Sequence, residues 1–233
     1  IMEIYQSDPS LEIKADGSPV TRADHAAEAI LLAEIATLAP SIQIISEENV
    51  VSHNLAASQE FFLVDPLDGT KEFIKACGDG AFTVNIGLIK NAEPVMGIVF
   101  SPALDRLFFG SLGNGAFEIS GGICRQICVR MPPAEGPVAV ASASHRDAQT
   151  NQWLEKRGVT NSIAIGSSLK FCLIAAGEAD LYPRYGPTME WDTAAGDAVL
   201  RAAGGRIMAE DGKPFPYGKA GYRNQPFFAA GGG

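Results

Sequence analysis

The sequence predicts a layered fold of helices and β-sheet, α+β in its first half and α/β in its second. Three observations lead there: a capped amphipathic helix near the start, short β-rich runs at close intervals through the middle, and alternating strand and helix signals toward the end. The chain has 233 residues, 46% hydrophobic and 19% charged, which is the composition of a globular protein with a sizeable core. That length suits one large domain or two modest ones sharing an interface.

Ile1, Ile4 and Tyr5 stand at helical spacing without an N-cap before them, so they read as the last turns of a helix whose beginning is expected to be missing. Thr21-x-x-Asp24, followed by Ala27, Ile30, Leu31, Ile35 and Leu38, predicts an amphipathic helix with a capping-box start, closed by Pro40. Residues 42–45 form a short strand that runs into Ser46-Glu47-Glu48. Residues 61–64 form an apolar strand expected to stop at Asp65-Pro66-Leu67-Asp68-Gly69-Thr70, since Pro66 has no ladder donor and Gly69 permits a turn. Residues 82–89, 94–100, 106–110 and 116–119 are β-rich and separated by Gly, Asn and Pro, which predicts an antiparallel meander. Pro132-Pro133 then marks a candidate boundary between residues 1–133 and 134–233. Beyond it come a strand at 138–141, a helix at 148–157, a strand at 162–165, a helix at 169–176 and the Leu181-Tyr182 pair. A last helix spans 193–203, with Asp192 as its expected N-cap and Gly204-Gly205 behind it.

Eighteen Lys and Arg face 27 Asp and Glu, a net charge of −9 that would repel a nucleic-acid polymer or an anionic membrane. A small anionic substrate remains compatible if bound cations reverse the local field. The four cysteines (Cys77, Cys124, Cys128, Cys172) include no Cys-x-x-Cys pair and no zinc-ligand spacing, so reduced thiols and a cytoplasmic location are expected. No apolar run approaches the roughly 18 residues that span a bilayer, and no export signal is expected of the opening segment.

Asp65 and Asp68 stand three apart on a tight turn, so both can reach one spot with the Leu67 carbonyl as a third oxygen, the ligation hard cations such as Mg²⁺ prefer. The same residues also make a good β-turn. They are not an EF-hand, whose Asp-x-Asp-x-Asp-Gly spacing and distal glutamate are missing. Glu47-Glu48 alone reads as a solvated acidic pair, Asp192 as a cap, and Asp24 as the third residue of a capping box.

Together, the segments Val20-Thr21-Arg22-Ala23-Asp24, Ser46-Glu47-Glu48, Asp65-Pro66-Leu67-Asp68-Gly69-Thr70 and Trp191-Asp192-Thr193-Ala194-Ala195-Gly196 resemble, in order and approximate spacing, the inositol monophosphatase superfamily. Within it, Lys71-Glu72-Phe73-Ile74, Gly166-Ser167-Ser168-Leu169-Lys170-Phe171 and Leu181-Tyr182-Pro183-Arg184 are similar to the 3'(2'),5'-bisphosphate nucleotidases. The resemblance implies an αβαβα sandwich of the inositol monophosphatase and fructose-1,6-bisphosphatase type, Mg²⁺ dependence with Mn²⁺ as a substitute, and inhibition by Li⁺. Carried over by motif, Glu47, Asp65 and the Leu67 carbonyl would hold one metal, and Asp65, Asp68 and Asp192 a second. A third, weaker ion would sit near Glu47.

The resemblance also assigns Thr70, paired with Asp24, to orienting the attacking water, with Glu47 contributing to catalysis. Residues 1–133 would then carry most metal ligands, and 134–233 would carry Asp192 and the nucleotide contacts. Gly166-Ser167-Ser168 before the helix at 169 offers backbone amides for a phosphate, with Gly69, Thr70, Lys170 and Asp192 beside it. His145 is expected to face the nucleotide and Glu190 the ribose or base, although each also reads as an ordinary loop or surface residue. The implied reaction is removal of the 3'-phosphate of adenosine 3',5'-bisphosphate (pAp), and of its sulfated form, PAPS. A broader inositol or sugar phosphatase of the same fold is the near alternative, and a non-catalytic phosphate-binding protein the distant one. Similar proteins attach peripherally to the cytoplasmic membrane face, but no lipidation signal or basic amphipathic helix suggests that here.

Overall fold

The computed structural model describes residues 1–7, 12–13, 19–74, 80–142 and 147–232. Helix α1 (Met2–Tyr5) packs through Tyr5 on Phe73, with ring centroids 5.3 Å apart, and a two-residue hairpin pair, β1 (Glu12–Ile13) and β2 (Pro19–Val20), follows. Helix α2 (Arg22–Leu38) starts as expected: the Thr21 hydroxyl accepts the Ala23 N–H, and Asp24 accepts the Thr21 N–H at 2.8 Å. Its buried stripe is narrower than the sequence predicts. Ala23, Ala27 and Ile35 are buried and Leu31 and Leu32 half-buried against the sheet, while Ile30 and Leu38 face solvent.

Strand β3 (Gln43–Ser46) pairs in parallel with β4 (Glu60–Asp68). After the short helix α3 (Thr70–Ile74) comes the meander: β5 (Thr83–Lys90), β6 (Glu93–Ser101), β7 (Arg106–Ser111), β8 (Gly115–Ser120) and β9 (Ile123–Ile127). These strands complete a seven-stranded sheet ordered β3-β4-β5-β6-β7-β8-β9, antiparallel beyond β4. The second half supplies β10 (Val138–Ser142), α4 (Ala148–Lys156), β11 (Asn161–Ile165), α5 (Leu169–Ala175), β12 (Leu181–Arg184), α6 (Ala194–Ala202), β13 (Arg206–Ala209) and β14 (Phe227–Ala230). Its five strands are ordered β11-β10-β12-β14-β13.

The layers follow from which apolar faces meet. Helix α2 covers one face of the large sheet through Ile35, Phe62 and Val64. Helices α5 and α6 fill the space between the two sheets, in a cluster that runs from Ile45, Phe61 and Leu63 to Tyr182, Ile207 and Phe227. Helix α4 covers the outer face of the small sheet through Trp153, stacked on Phe228 at 4.9 Å. The order is thus α, β, α, β, α. Helix α6 can lie this deep because Gly97 of β6 has no side chain: a Cβ there would fall 2.1 Å from the Ala195 carbonyl oxygen. No helix among the described residues is long and apolar enough to cross a membrane.

Candidate active site

Glu47 follows the last residue of β3 and continues its ladder, donating its N–H to the Val64 carbonyl at 3.1 Å. Asp65 comes next along β4, opposite Asn85 of β5. Asp192 lies in the turn before α6, where its Oδ2 accepts the Met189 N–H at 2.8 Å. It does not cap that helix: Thr193 occupies the cap position, and the expected capping role of Asp192 is replaced by this turn contact. Three segments remote in sequence thus bring Glu47, Asp65 and Asp192 together, each offering a carboxylate oxygen within 4.8 Å of the others.

Residues three apart on a regular strand face opposite sides, because side chains alternate. Between the pairs Asp65↔Asn85 and Asp68↔Thr83, β4 spends two residues where β5 spends one, a β-bulge. That extra residue restores the phase, and Asp65 and Asp68 both line one cavity. The strand therefore runs through the motif to Asp68 rather than stopping at residue 64, with Pro66 placed where the ladder is already broken. The turn follows at Gly69, whose φ of +90° suits glycine, and where an added Cβ would sit 3.2 Å from the Ala81 carbonyl oxygen.

Buried Asp65 accepts the Leu67 N–H on Oδ1 at 3.0 Å, while no donor among the described residues reaches its buried Oδ2. Burial holds its carboxyl well above the usual range, and Glu47, Asp68 and Asp192 push the same way. Asp192 is raised for the same reason, burial first and then Asp68 and Glu47. Anions crowded out of water must either take up protons or find a cation. Three carboxylates with an oxygen left over, next to the Leu67 carbonyl, are a donor set that fits a hard divalent ion. Asp68 stands at the side of this cluster, accepting the Ser168 N–H at 2.6 Å, with the Ser168 hydroxyl oxygen 3.1 Å away as an alternative donor. Burial raises it too, against the pull of Lys170 and Ser168.

Asp24 does two things at once. One oxygen caps α2, and the other accepts the Thr70 hydroxyl at 3.4 Å, with the Leu67 carbonyl a second acceptor for that hydroxyl at 3.3 Å. Thr70 lines the cavity, which encloses about 310 Å³ and is also walled by Glu47, Gly69, Gly166, Ser167 and Lys170. Buried Lys170 donates to the Ser167 carbonyl at 2.6 Å and lies 5.3 Å above the Tyr182 ring. Burial brings it down to about 8, with Asp68 pulling the other way.

Several expected contacts are arranged differently. At the start of α5, Gly166 and Ser167 line the cavity, while the Ser168 N–H is taken by Asp68 and its hydroxyl donates to the Asp192 carbonyl at 2.6 Å. Glu190 is fully buried and absent from the cavity wall; its oxygens accept the Gly218 and Lys219 N–H groups at 2.7 and 2.9 Å, so it anchors that loop instead of reaching a ribose or base. His145 lies outside the described residues. Arg184, which the sequence shows only as the end of the Leu181-Tyr182-Pro183-Arg184 motif with no role attached, lines the cavity. Its Nε and Nη2 donate to the Gly186 and Pro187 carbonyls at 3.1 and 3.0 Å. The signal available was a cation closing the apolar strand Leu181-Tyr182-Pro183.

A sequence profile of the inositol monophosphatase family matches residues 1–227. The 3'(2'),5'-bisphosphate nucleotidase CysQ of Escherichia coli strain K12 is 44% identical over 220 residues, covering 93% of this chain and 87% of that protein. The crystal structure of CysQ from Bacteroides thetaiotaomicron, a bacterial member of the same family, matches with a TM-score of 0.83 at 37% identity, covering 99% of this chain and 91% of the other. A Thermotoga maritima IMPase shares the fold at a TM-score of 0.81 and 24% identity, covering 98% and 85% of the two chains.

Proposed function

The chain belongs to the inositol monophosphatase family, and from that premise we propose that it is a Mg²⁺-dependent 3'(2'),5'-bisphosphate nucleotidase, converting pAp to AMP and phosphate, with PAPS as a second substrate. The family is metal-dependent, and the observation that carries the reading is the meeting of Glu47, Asp65 and Asp192 within 4.8 Å on a cavity wall. In this proposal Glu47, Asp65 and the Leu67 carbonyl hold one ion, Asp65, Asp68 and Asp192 another, and a third sits more weakly near Glu47. Mn²⁺ substitutes and Li⁺ inhibits. Bound divalent cations supply a more acidic water and neutralise charge on the phosphoryl oxygens and leaving group.

The side chains do the rest. Asp24, or the Leu67 carbonyl, accepts the hydrogen bond of the Thr70 hydroxyl, leaving a lone pair of the Thr70 oxygen to accept from a water and orient it. Gly69 and Ser167 border the phosphoryl seat. Lys71, Lys170 and Arg184 put three cations on a wall that also carries four clustered carboxylates, Glu47, Asp65, Asp68 and Asp192, so a substrate with a second anionic group gains a partner that an inositol monophosphate would leave unused. Residues 1–133 act as the part carrying most metal ligands, and 134–233 as the part carrying Asp192, Lys170 and Arg184. A cytoplasmic location accords with the absence of a zinc or paired-cysteine pattern and with a substrate of intracellular type.

Phosphate release from pAp, inositol 1-phosphate and fructose 1,6-bisphosphate, each with Mg²⁺ and with EDTA, tests this reading. The expected result is EDTA-sensitive turnover with kcat/KM for pAp at least roughly tenfold above the other two. Preference for inositol 1-phosphate would remove the nucleotide assignment, and turnover indifferent to EDTA would remove the metal chemistry.

A further inference from the structure

His53 sits on a single 3-10 turn, Ser52–Asn54, and takes no part in the cavity wall. Its half-buried imidazole makes two contacts. Nε2 bonds the Ser46 carbonyl at 2.8 Å, and the ring lies on the Trp191 indole with centroids 4.6 Å apart and planes 22° from parallel. Ser46 immediately precedes Glu47, and Trp191 immediately precedes Asp192. One side chain therefore joins the residues next to two of the three clustered carboxylates, which are otherwise 145 positions apart.

Both attachment points are themselves fixed. The Ser46 hydroxyl donates to Glu28 at 2.5 Å, its N–H donates to the Ser52 hydroxyl at 3.1 Å, and its carbonyl also accepts the Asn49 N–H at 3.2 Å. Trp191 is buried beside Glu190, which is tied to the 218–219 backbone. A carbonyl only accepts, so Nε2 carries a proton and donates it to Ser46 while the ring face lies on the indole. Glu47 and Asp192 repel each other whenever both are charged, and a fixed spacer between their mounts keeps that repulsion from spreading them.

We infer that His53 is a positioning residue: it sets the separation of Glu47 and Asp192 and so the affinity of the site for divalent cations. The inference rests on the metal-site reading given above and adds a determinant outside the cavity. It is tested by calorimetric titration of metal-stripped protein with Mg²⁺, alongside the Mg²⁺-induced rise in Tm and kcat at saturating Mg²⁺. His53→Ala is expected to weaken Mg²⁺ binding about tenfold, as loss of an outer support of a metal site does, with kcat at saturating Mg²⁺ within about twofold of the parent. His53→Phe keeps the stack, loses the hydrogen bond, and falls between the two.

Tyr222→Phe is the control, since it removes only the bond from the Tyr222 hydroxyl to the Leu55 carbonyl at 2.7 Å, at the far end of the same loop. Unchanged Mg²⁺ affinity in His53→Ala overturns the inference, and so does equal weakening in Tyr222→Phe, which would signal general loosening of the loop. If His53→Ala does not fold, His53→Phe and His53→Gln decide by the same criteria. A parent protein that takes up no Mg²⁺ would overturn the metal site itself along with the role of His53.

Discussion

Asp180 and Asp65 are both almost wholly buried, and the protein treats them in opposite ways. Asp180 accepts Arg130 Nε and Nη2 at 2.9 and 3.0 Å and the Val138 N–H at 2.7 Å; burial works against its charge, and these donors overcome it and hold the carboxyl below its usual range. Glu118, between Arg106 and Arg125 at 2.6 Å each, is handled likewise. Asp65 has like charges for company and an oxygen that no described donor reaches. Asp180 braces Arg130 against the start of β10 in the small sheet, and Glu118 ties β7, β8 and β9 of the large sheet together. Carboxylates of the second kind oppose folding until a cation arrives, so they persist for a reason other than stability.

Substitutions should separate the two kinds, and the largest effect belongs to the cluster. Asp65→Asn is expected to lower kcat by roughly 10³-fold or more, through loss of charge that holds cations at the phosphoryl group. Its metal-free Tm should be equal to or above the parent's, because a crowded buried anion is gone; activity within tenfold of the parent would sink the assignment. Next comes Asp24→Asn, for which a drop in kcat of about 10²-fold is expected from misoriented water, on a protein that loses about 1 kcal/mol of capping. Unchanged kcat would leave Asp24 as a cap alone.

Asp180→Ala should reverse the pattern, costing about 2 kcal/mol in urea denaturation by leaving a guanidinium and an N–H without their acceptor. Its turnover should stay within about twofold; an activity loss larger than its stability loss would blur the distinction. The smallest effect concerns Asp197, which has a partial partner. Arg201 Nε at 2.8 Å and the Tyr217 hydroxyl at 3.0 Å bond it, yet burial raises it to about 6. Because its folded value lies above the unfolded one, the stability it contributes is fully present below about pH 4 and lost as pH rises through 6. The parent should therefore lose stability relative to Asp197→Asn between pH 4 and 7, by up to about 2 kcal/mol. A difference that stays flat across that window would contradict the shift.

What the sequence discloses about these regions follows the range of the interactions involved. Capping of α2 by Thr21 and Asp24 is local, and so is legible; so are the turns that separate the meander strands. The edge strand β9 is largely exposed and mixed in character, and β13 and β14 are four residues each, so periodicity had little to register. In the site, the Asp65 and Asp68 spacing was visible, but the bulge that puts both on one side depends on pairing with β5. Asp192 looked like a cap because its position before a helix is local, while its meeting with Glu47 is not. Glu190 and Ser168 were misplaced for the same reason: their partners, Gly218 and Asp68, lie 28 and 100 positions away. Arg184 was named within a motif but given no role, because nothing near it in sequence says which way the strand end opens.

The extra residue in β4 also bears on how this chain can change over generations. A loop of the same chemistry would tolerate gain or loss of a residue with small displacement, but a pleated strand counts in twos. Pairing this stretch with β5 without the bulge would turn one of Asp65 and Asp68 toward the opposite side of the sheet, whereas losing the bulge together with Pro66 or Leu67 would leave one residue between them and both on one side. Length here and pairing with β5 therefore have to change together, and an alignment that scored only matching letters would not see the pairing.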